Sequence, residues 1–383
     1  MTDTNKVMQV ETWAPYLSVI LGGDKELAVS GIGYGEVIDV TVQQSVSDID
    51  SFTVTLINWD DNQRKRKYIA TKPAQIVGLQ PTPQFPFGLG QPLEITMGYP
   101  SWKRKLIMAE ITKLMPVFPS GGPATITIDG SDGLHRLKGN TRNKSYAGKP
   151  ISRIVKDVVD LANKDTKKSP LKTEITPPTI DPPLDYIYQF NQSDAAFLKE
   201  CAGRVGHEVF VRGDTLYFRP PPDGAPQKLV LEYGHTLESL SLSLNIGNQP
   251  SAVEVRSWNG KEGKTIKYKT TDLDLAMVAG AGFTGPKARE QVFGAQPVVI
   301  TDIPVRSEQE AKALAVARLQ RLMQDFVTVR GATIGMPDLK PGGEVTIKGI
   351  DPVLEGDYYL TACTHKFGAQ GYRTEFQARR TSL

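Results

Sequence analysis

Two stretches of alternating apolar and polar residues, one toward each end of the chain, constrain its fold more than any other feature. In the first, Phe52, Val54 and Leu56 share one face while Ser51, Thr53 and Thr55 share the other, the period of a strand with one side buried. Residues 93–97 and 125–128 repeat the alternation, with Gly98-Tyr99-Pro100 and Ser120-Gly121-Gly122-Pro123 supplying turns between them. In the second stretch, Leu240, Leu242 and Leu244 alternate, then Val253 and Val255, and later Val345 with Ile347, Tyr358 with Leu360 and Ala362, and Tyr372 with Thr374, Phe376 and Ala378. Turns at residues 340–343 and 354–357 divide the last three. Strands apolar on one face need a second sheet or closure into a barrel to cover that face.

Between the two regions the period changes. Ile151, Ile154, Val155, Val158 and Ala162 recur at helical spacing after Pro150, which predicts a helix over about 151–163. Residues 176–183 carry four prolines and read as a stiff extended connector. Ser193 or Asp194 can cap a second helix over about 194–205 with Phe197, Leu198, Cys201 and Val205 on one stripe, stopped by Gly206. A hairpin over 207–211 and 215–219 follows, turning at Arg212-Gly213-Asp214. Within the second strand-rich region Ser307 and Glu310 make a capping box for a helix over about 308–326, with Ala311, Leu314, Ala315, Leu319, Leu322, Met323 and Phe326 on its apolar face. The expected fold class is mainly β with an α+β insert. It has a first β-barrel domain over 1–138, a small α/β domain over 139–226, and a second β-barrel domain over 227–383 that includes the long helix. The loops 72–91 and 264–297 read as features particular to this chain, the first exposed and mobile in isolation.

Composition excludes several classes. A chain of 383 residues can bury two or three cores. A net charge of +3 is too small to argue for nucleic acid. Two cysteines, Cys201 and Cys363, rule out a framework of several disulfides and a zinc site built mainly from thiolates, and fit synthesis in a reducing cytoplasm. Residues 1–6 carry no secretory signal. The longest apolar stretch, residues 275–283, falls far short of a membrane span.

Chemistry is sparse. There is no nucleophile elbow, no zincin motif and no phosphate-binding loop, and the four histidines are scattered. Gly31-Ile32-Gly33-Tyr34-Gly35 lacks the flanking strand and helix of a nucleotide site and reads as a turn. The sequence therefore assigns no catalytic, cofactor or metal residues. Two basic runs, Arg64-Lys65-Arg66-Lys67 and Trp102-Lys103-Arg104, are candidate docking points for an acidic protein partner, or solvated loops.

Several short motifs carry a family resemblance. They are residues 188–198, 206–210 and 216–220, Val255-Arg256-Ser257-Trp258-Asn259, residues 304–311, and the closing series 339–343, 356–359, 365–367 and 371–376. In their order the chain resembles the phage late control gene D family, the baseplate hub proteins of contractile tails, which are similar to the VgrG hub without its spike. The matching positions are Phe190, Asp194, Phe197, Leu198, Gly206, Phe218, Trp258, Ser307, Glu310, Gly343, Gly356, Tyr358, His365 and Tyr372. All have packing, capping or turn roles. The resemblance implies a homotrimer whose six related barrels adapt a sixfold tail tube to a threefold spike. It implies as partners a separate trimeric spike protein, tail tube or tube-initiator proteins and baseplate wedge proteins, in a phage tail or tail-like particle, with no direct nucleic-acid or membrane contact. Since the sequence ends at Leu383, the spike is expected to be a separate polypeptide with no fused enzyme. The alternative reading is a β-barrel module binding cell-wall glycan, suggested by Tyr217 and Phe218, whose blander explanation is core packing. A peptidoglycan hydrolase is the least favoured.

Overall fold

The computed structural model describes residues 14–22, 25–27, 36–78, 86–221, 228–275 and 282–383. The glycine run 31–35 and the middle of the 72–91 loop lie outside them. The first strand-rich region holds β1 (Tyr16–Leu21), β2 (Lys25–Leu27), β3 (Val37–Ser45), β4 (Ser51–Ile57), β5 (Pro92–Tyr99), β6 (Trp102–Val117) and β7 (Thr125–Ser131). Phe52, Val54 and Leu56 are buried on β4 while their neighbours are not, so the alternation marks the core face as expected.

The middle unit comprises β8 (Thr141–Tyr146), α1 (Ile151–Asp165), β9 (Lys172–Ile175), β10 (Ile187–Ser193), α2 (Asp194–Val205), β11 (Glu208–Arg212) and β12 (Thr215–Arg219). Both helices start where expected. Pro150 offers α1 no side-chain cap, and Asp181 of the proline connector takes that role, accepting from the Ile151 and Ser152 N–H groups at 2.8 and 3.2 Å. On α2, Ser193 Oγ accepts from Ala196 N, and Gly206 adopts the left-handed conformation that ends the helix, φ 71°. These elements share a separate core containing Phe197, Leu198, Cys201 and Phe218. Strand β9, parallel to β12, was not read from the sequence.

The last region contains β13 (Lys228–Glu232), β14 (Leu237–Leu244), β15 (Val253–Asn259), β16 (Lys264–Thr270), α3 (Gly285–Phe293), β17 (Val298–Ile300), α4 (Glu308–Met323), β18 (Val327–Ile334), β19 (Glu344–Lys348), β20 (Gly356–Gly368) and β21 (Gly371–Arg380). Two expectations change here. The 264–297 segment is not a loop, because its described part supplies β16 and α3. The long helix α4, expected within the second barrel, packs instead on the separate three-stranded sheet of β15, β16 and β17, around Val253, Val255, Leu314 and Leu319. Glu310 also departs from the expected box: it accepts from Arg306 N, while Ser307 Oγ takes the Glu310 N–H.

The two strand-rich regions repeat one topology. Leaving β2 aside, the first runs β1-β5-β6-β7-β4-β3 in space and the second β13-β19-β20-β21-β18-β14. Numbered by chain order within each group, both read one-four-five-six-three-two. The irregularities match as well. A bulge interrupts β6 against β7 between Ile111 and Lys113, and β20 against β21 between Leu360 and Ala362. Another interrupts β3 against β4 between Val37 and Asp39, and β14 against β18 between Leu237 and Ser239. Bulges are specific features of a fold, so two at corresponding positions make Thr361 the counterpart of Thr112, and Glu238 that of Ile38. One difference stands: β1 runs antiparallel to β5, whereas β13 runs parallel to β19.

Contrary to the expected pair of closed barrels, the two groups form one continuous thirteen-stranded sheet, joined where β20 pairs with β3. Among the described residues no strand pair closes either group. The largest core accordingly crosses the join, running from Leu17 and Phe52 to Tyr358 and Phe376.

Candidate assembly surface

The join shows what covers a strand edge in this fold. Strand β20 lies antiparallel on β3, with Ala362 opposite Ser45, Thr364 opposite Gln43 and Phe367 opposite Val40, and Val46 N donates to Thr361 O at 3.1 Å. Under this cover Val40, Val42 and His365 are fully buried. Burial pushes the His365 pKa down to about 4, so the ring is neutral at pH 7. Its Nε2 then donates to the Leu339 carbonyl at 3.1 Å and its Nδ1 accepts from Tyr372 Oη at 2.8 Å. This histidine is structural.

Side chains fasten the join. Trp102 Nε1 donates to Asp338 Oδ2 at 2.8 Å, and Arg104 Nε pairs with Asp338 Oδ1 at 2.6 Å. Within the first group, Gln44 Nε2 of β3 donates to Leu106 O of β6 at 2.9 Å. Farther along, Tyr359 Oη donates to Glu208 Oε2 at 2.6 Å, tying β20 to the middle unit. Asp50 and Asp132 are buried together, with Asp50 N donating to Asp132 Oδ2 at 3.2 Å. Loss of hydration raises both carboxyl pKa values, to about 6 for Asp50 and about 8 for Asp132, where the Asp50 charge adds to the effect. Their oxygens accept from Ser45 N and Leu134 N, so they act as turn-binding groups.

The basic runs are not bare patches. Lys67 pairs with Glu36 at 2.6 Å, the Arg66 guanidinium lies 5.3 Å from the Phe118 ring centroid, and Lys65 bridges Asp60 through the backbone. Lys103 sits 4.2 Å above the Tyr16 ring. Trp102 is 5 % exposed and Arg104 is tied to Asp338. Arg64 has a positive φ of 51°.

Of the family-motif positions, Asp194, Phe197, Leu198, Phe218, Tyr358, His365 and Tyr372 are buried, and Gly343 and Gly356 flank β19 and open β20. Phe190 and Trp258 are instead 71 % and 62 % exposed. Phe190 ends a surface row with Tyr188 and Tyr186, rings 5.9 and 6.2 Å apart, which sequence reading missed although the i, i+2, i+4 spacing leading into β10 was visible. Phe218, one basis of the glycan reading, is fully buried, and Tyr217 stacks on Phe210.

A cleft of about 550 Å³ separates the proline connector from α4, lined by Pro177, Pro178, Gln320, Tyr359 and Arg379. Among the described residues no group of three or more His, Cys, Asp or Glu side chains could hold a metal ion, and no helix is long and apolar enough to cross a membrane. Both cysteines are buried and free, and burial pushes both thiol pKa values up, Cys201 to about 12.

Among the strand edges left unpaired in the described residues, two correspond to the halves of the internal join. Beyond Ile111, which still bonds Gln91 and Gly90, β6 pairs only with β7, and β14 ends the sheet, paired beyond Leu237 only with β18. These edges carry exposed Met115, Val117, Phe118 and Leu244. Unpaired edges bordered by apolar side chains suit strand-to-strand assembly.

Comparison with known proteins agrees with this architecture. The model of the Alg8 N-terminal domain family matches residues 33–368. The chain belongs to the Alg8 N-terminal domain family. That description names a domain and no reaction, so it adds no chemistry to the site. In structure this family member is similar to the tail protein of prophage MuSo2 from Shewanella oneidensis, at 13 % identity and TM-score 0.66, over 96 % of this chain and 99 % of that one. It is equally similar to the tail protein from Neisseria meningitidis MC58, at 13 % identity and TM-score 0.66, over 96 % and 97 %. A type VI secretion system component of E. coli matches at 14 % identity and TM-score 0.57, over 94 % and 76 %. These likenesses establish a tail-protein fold. No curated protein matches the sequence.

Proposed function

We propose that this chain is a non-enzymatic hub subunit of a phage tail or tail-like injection particle, of the late control gene D type. Three copies form a ring in which two tube-like domains per chain, 1–138 and 227–383, present six similar faces to a sixfold tail tube. A separate threefold spike protein binds the other side, and wedge proteins bind the periphery. The observation that carries this reading is the repeated six-strand topology with its two shared bulges. A chain holding two copies of one module converts threefold symmetry into near-sixfold symmetry without extra subunits. The tail-protein fold supports it. The chain is synthesised in the bacterial cytoplasm and assembled there into the particle. Arg64, Lys65 and Arg66, the last lying over Phe118 at the end of β6, are the proposed contacts to an acidic partner.

The burial of Phe218 removes one motive for glycan binding, and the buried carboxyls serve turns, which supports a structural role. Light scattering on the purified full-length chain tests the proposal. A trimer that takes up one trimeric spike is expected; a monomer at every concentration, with spike present, refutes it.

A further inference from the structure

The internal join is a template for a second one. Strand β3, third along the chain in its group if β2 is counted, is covered by β20. Among the described residues its counterpart in the second group, β14, is uncovered beyond Leu237, and the counterpart of β20 in the first group, β6, has an open edge from residue 112 onward. One chain thus carries one completed join and the two unused halves of another. The shared bulges fix how the halves correspond. Thr361 on Thr112 places Cys363, His365 and Phe367 on Leu114, Pro116 and Phe118, and Ile38 on Glu238 places Val40, Val42 and Gln44 on Leu240, Leu242 and Leu244.

Burial follows the same correspondence. Val40, Val42, Gln44, Cys363 and His365 are all 4 % exposed or less, whereas Leu240 and Leu242 are only partly covered, Pro116 is exposed, and Leu244 and Phe118 are 49 % and 59 % exposed. Positions that are core when the neighbouring strand is present stand open when it is absent.

We infer that a second copy of this chain fills the gap: the β14 edge of one copy adds to the 112–118 edge of β6 in the next, antiparallel, in the register of β3 on β20. Transferring that register sets Leu114 opposite Leu244, Pro116 opposite Leu242 and Phe118 opposite Leu240, with Lys113, Met115 and Val117 opposite Asn245, Ser243 and Ser241. Every apolar residue of the inward row then meets an apolar residue, and a slip of one would set leucines against serines. The contact is head-to-tail, so it closes into a ring only with the right rotation; closure at three rests on the hub reading above. Pro116 has no N–H, which leaves this join one hydrogen bond shorter than the internal one and makes the edge a poor template for indiscriminate strand addition.

The Val46 N to Thr361 O bond makes their pair a hydrogen-bonded one, so Thr364 opposite Gln43, and by transfer Met115 opposite Ser243, is non-bonded. Such pairs lie about 4.5 Å apart at Cα, within disulfide reach. The test is oxidation of the full-length chain carrying Met115→Cys and Ser243→Cys, run on a non-reducing gel beside light scattering, with Met115→Cys and Ser241→Cys as the shifted pair. Covalent trimers from the first pair, and few from the second, are expected. Trimers by scattering that do not cross-link overturn the join while leaving the hub standing. Equal or better cross-linking of the shifted pair overturns the register, and a monomer at all concentrations overturns join and hub together. Independently, Met115→Lys with Ser243→Lys should raise the half-assembly concentration severalfold and Met115→Lys with Ser243→Glu should restore it; no difference between the two also overturns the join.

Discussion

Strands β3 and β14 hold the same place in two groups of the same topology, yet one is core and the other is surface. The groups differ equally in where they place extra chain. In the first, β3 passes to β4 through residues 46–50 and the long connection is 58–91, between β4 and β5. In the second, β14 passes to β18 through 245–326, which holds a sheet and helix with their own core, and the β18 to β19 connection is only 335–343. The ladder, including its bulges, is what the two groups share; connections vary freely because a surface loop costs little to lengthen.

The sharpest way to break this equivalence is through its glycines. Gly130 faces Phe52 across the β4–β7 ladder, and a Cβ there would meet the ring at 2.2 Å and the Glu110 carbonyl at 2.5 Å. The corresponding pair in the second group is Val329 with Ala378. Gly130→Ala should therefore cost about 2–3 kcal/mol, and adding Phe52→Val, which copies the second group, should give a double variant less destabilised than the sum. Urea midpoints for the full cycle measure this, and strict additivity would count against the shared packing plan.

Next in size is a pH effect confined to the first group. Asp50 and Asp132 pair where the second group has Val327 and Arg380. Their folded pKa values, about 6 and about 8, lie above the unfolded value. The unfolded chain therefore ionises first, and their contribution falls as pH rises from about 4 to about 8. Asp132→Asn should shrink the drop in urea midpoint between pH 5 and pH 8; an unchanged drop would refute the assignment. Smaller still, Asp338→Ala should cost about 1.5 kcal/mol by stranding the Trp102 N–H at the join, read in the same assay. Smallest is Ser307→Ala, about 1 kcal/mol for a lost cap, with thermal unfolding as the measure and the strand ladder unaffected.

Much of this was legible in residue patterns. The alternation at Phe52, Val54 and Leu56, the α2 stripe closed by Gly206, and the Ser307 cap all sit where side-chain chemistry dictates local structure. The join was not legible. Strand pairing is made by backbone groups common to every residue, so nothing in Val40 or Val42 names β20 as neighbour. The bulges were hidden for the same reason, being a mismatch between two strands rather than a property of Thr112 or Thr361 alone. For the candidate surface, Trp102 and Arg104 drew attention as part of a basic run, but their partner Asp338 is brought near only by the fold. The open edges of β6 and β14 gave no sign, since an uncovered strand and a covered one share the same alternation.

Because β3 waits for β20, the order in which a ribosome delivers the chain leaves one flank of the first group exposed throughout most of synthesis. Ser45 and its partner Ala362 are about 320 residues apart, roughly 15–60 s of translation at about 5–20 residues per second. During that interval nascent neighbours on one message carry the same bare flank side by side, so crowded polysomes are where mispairing of this protein would be expected to begin.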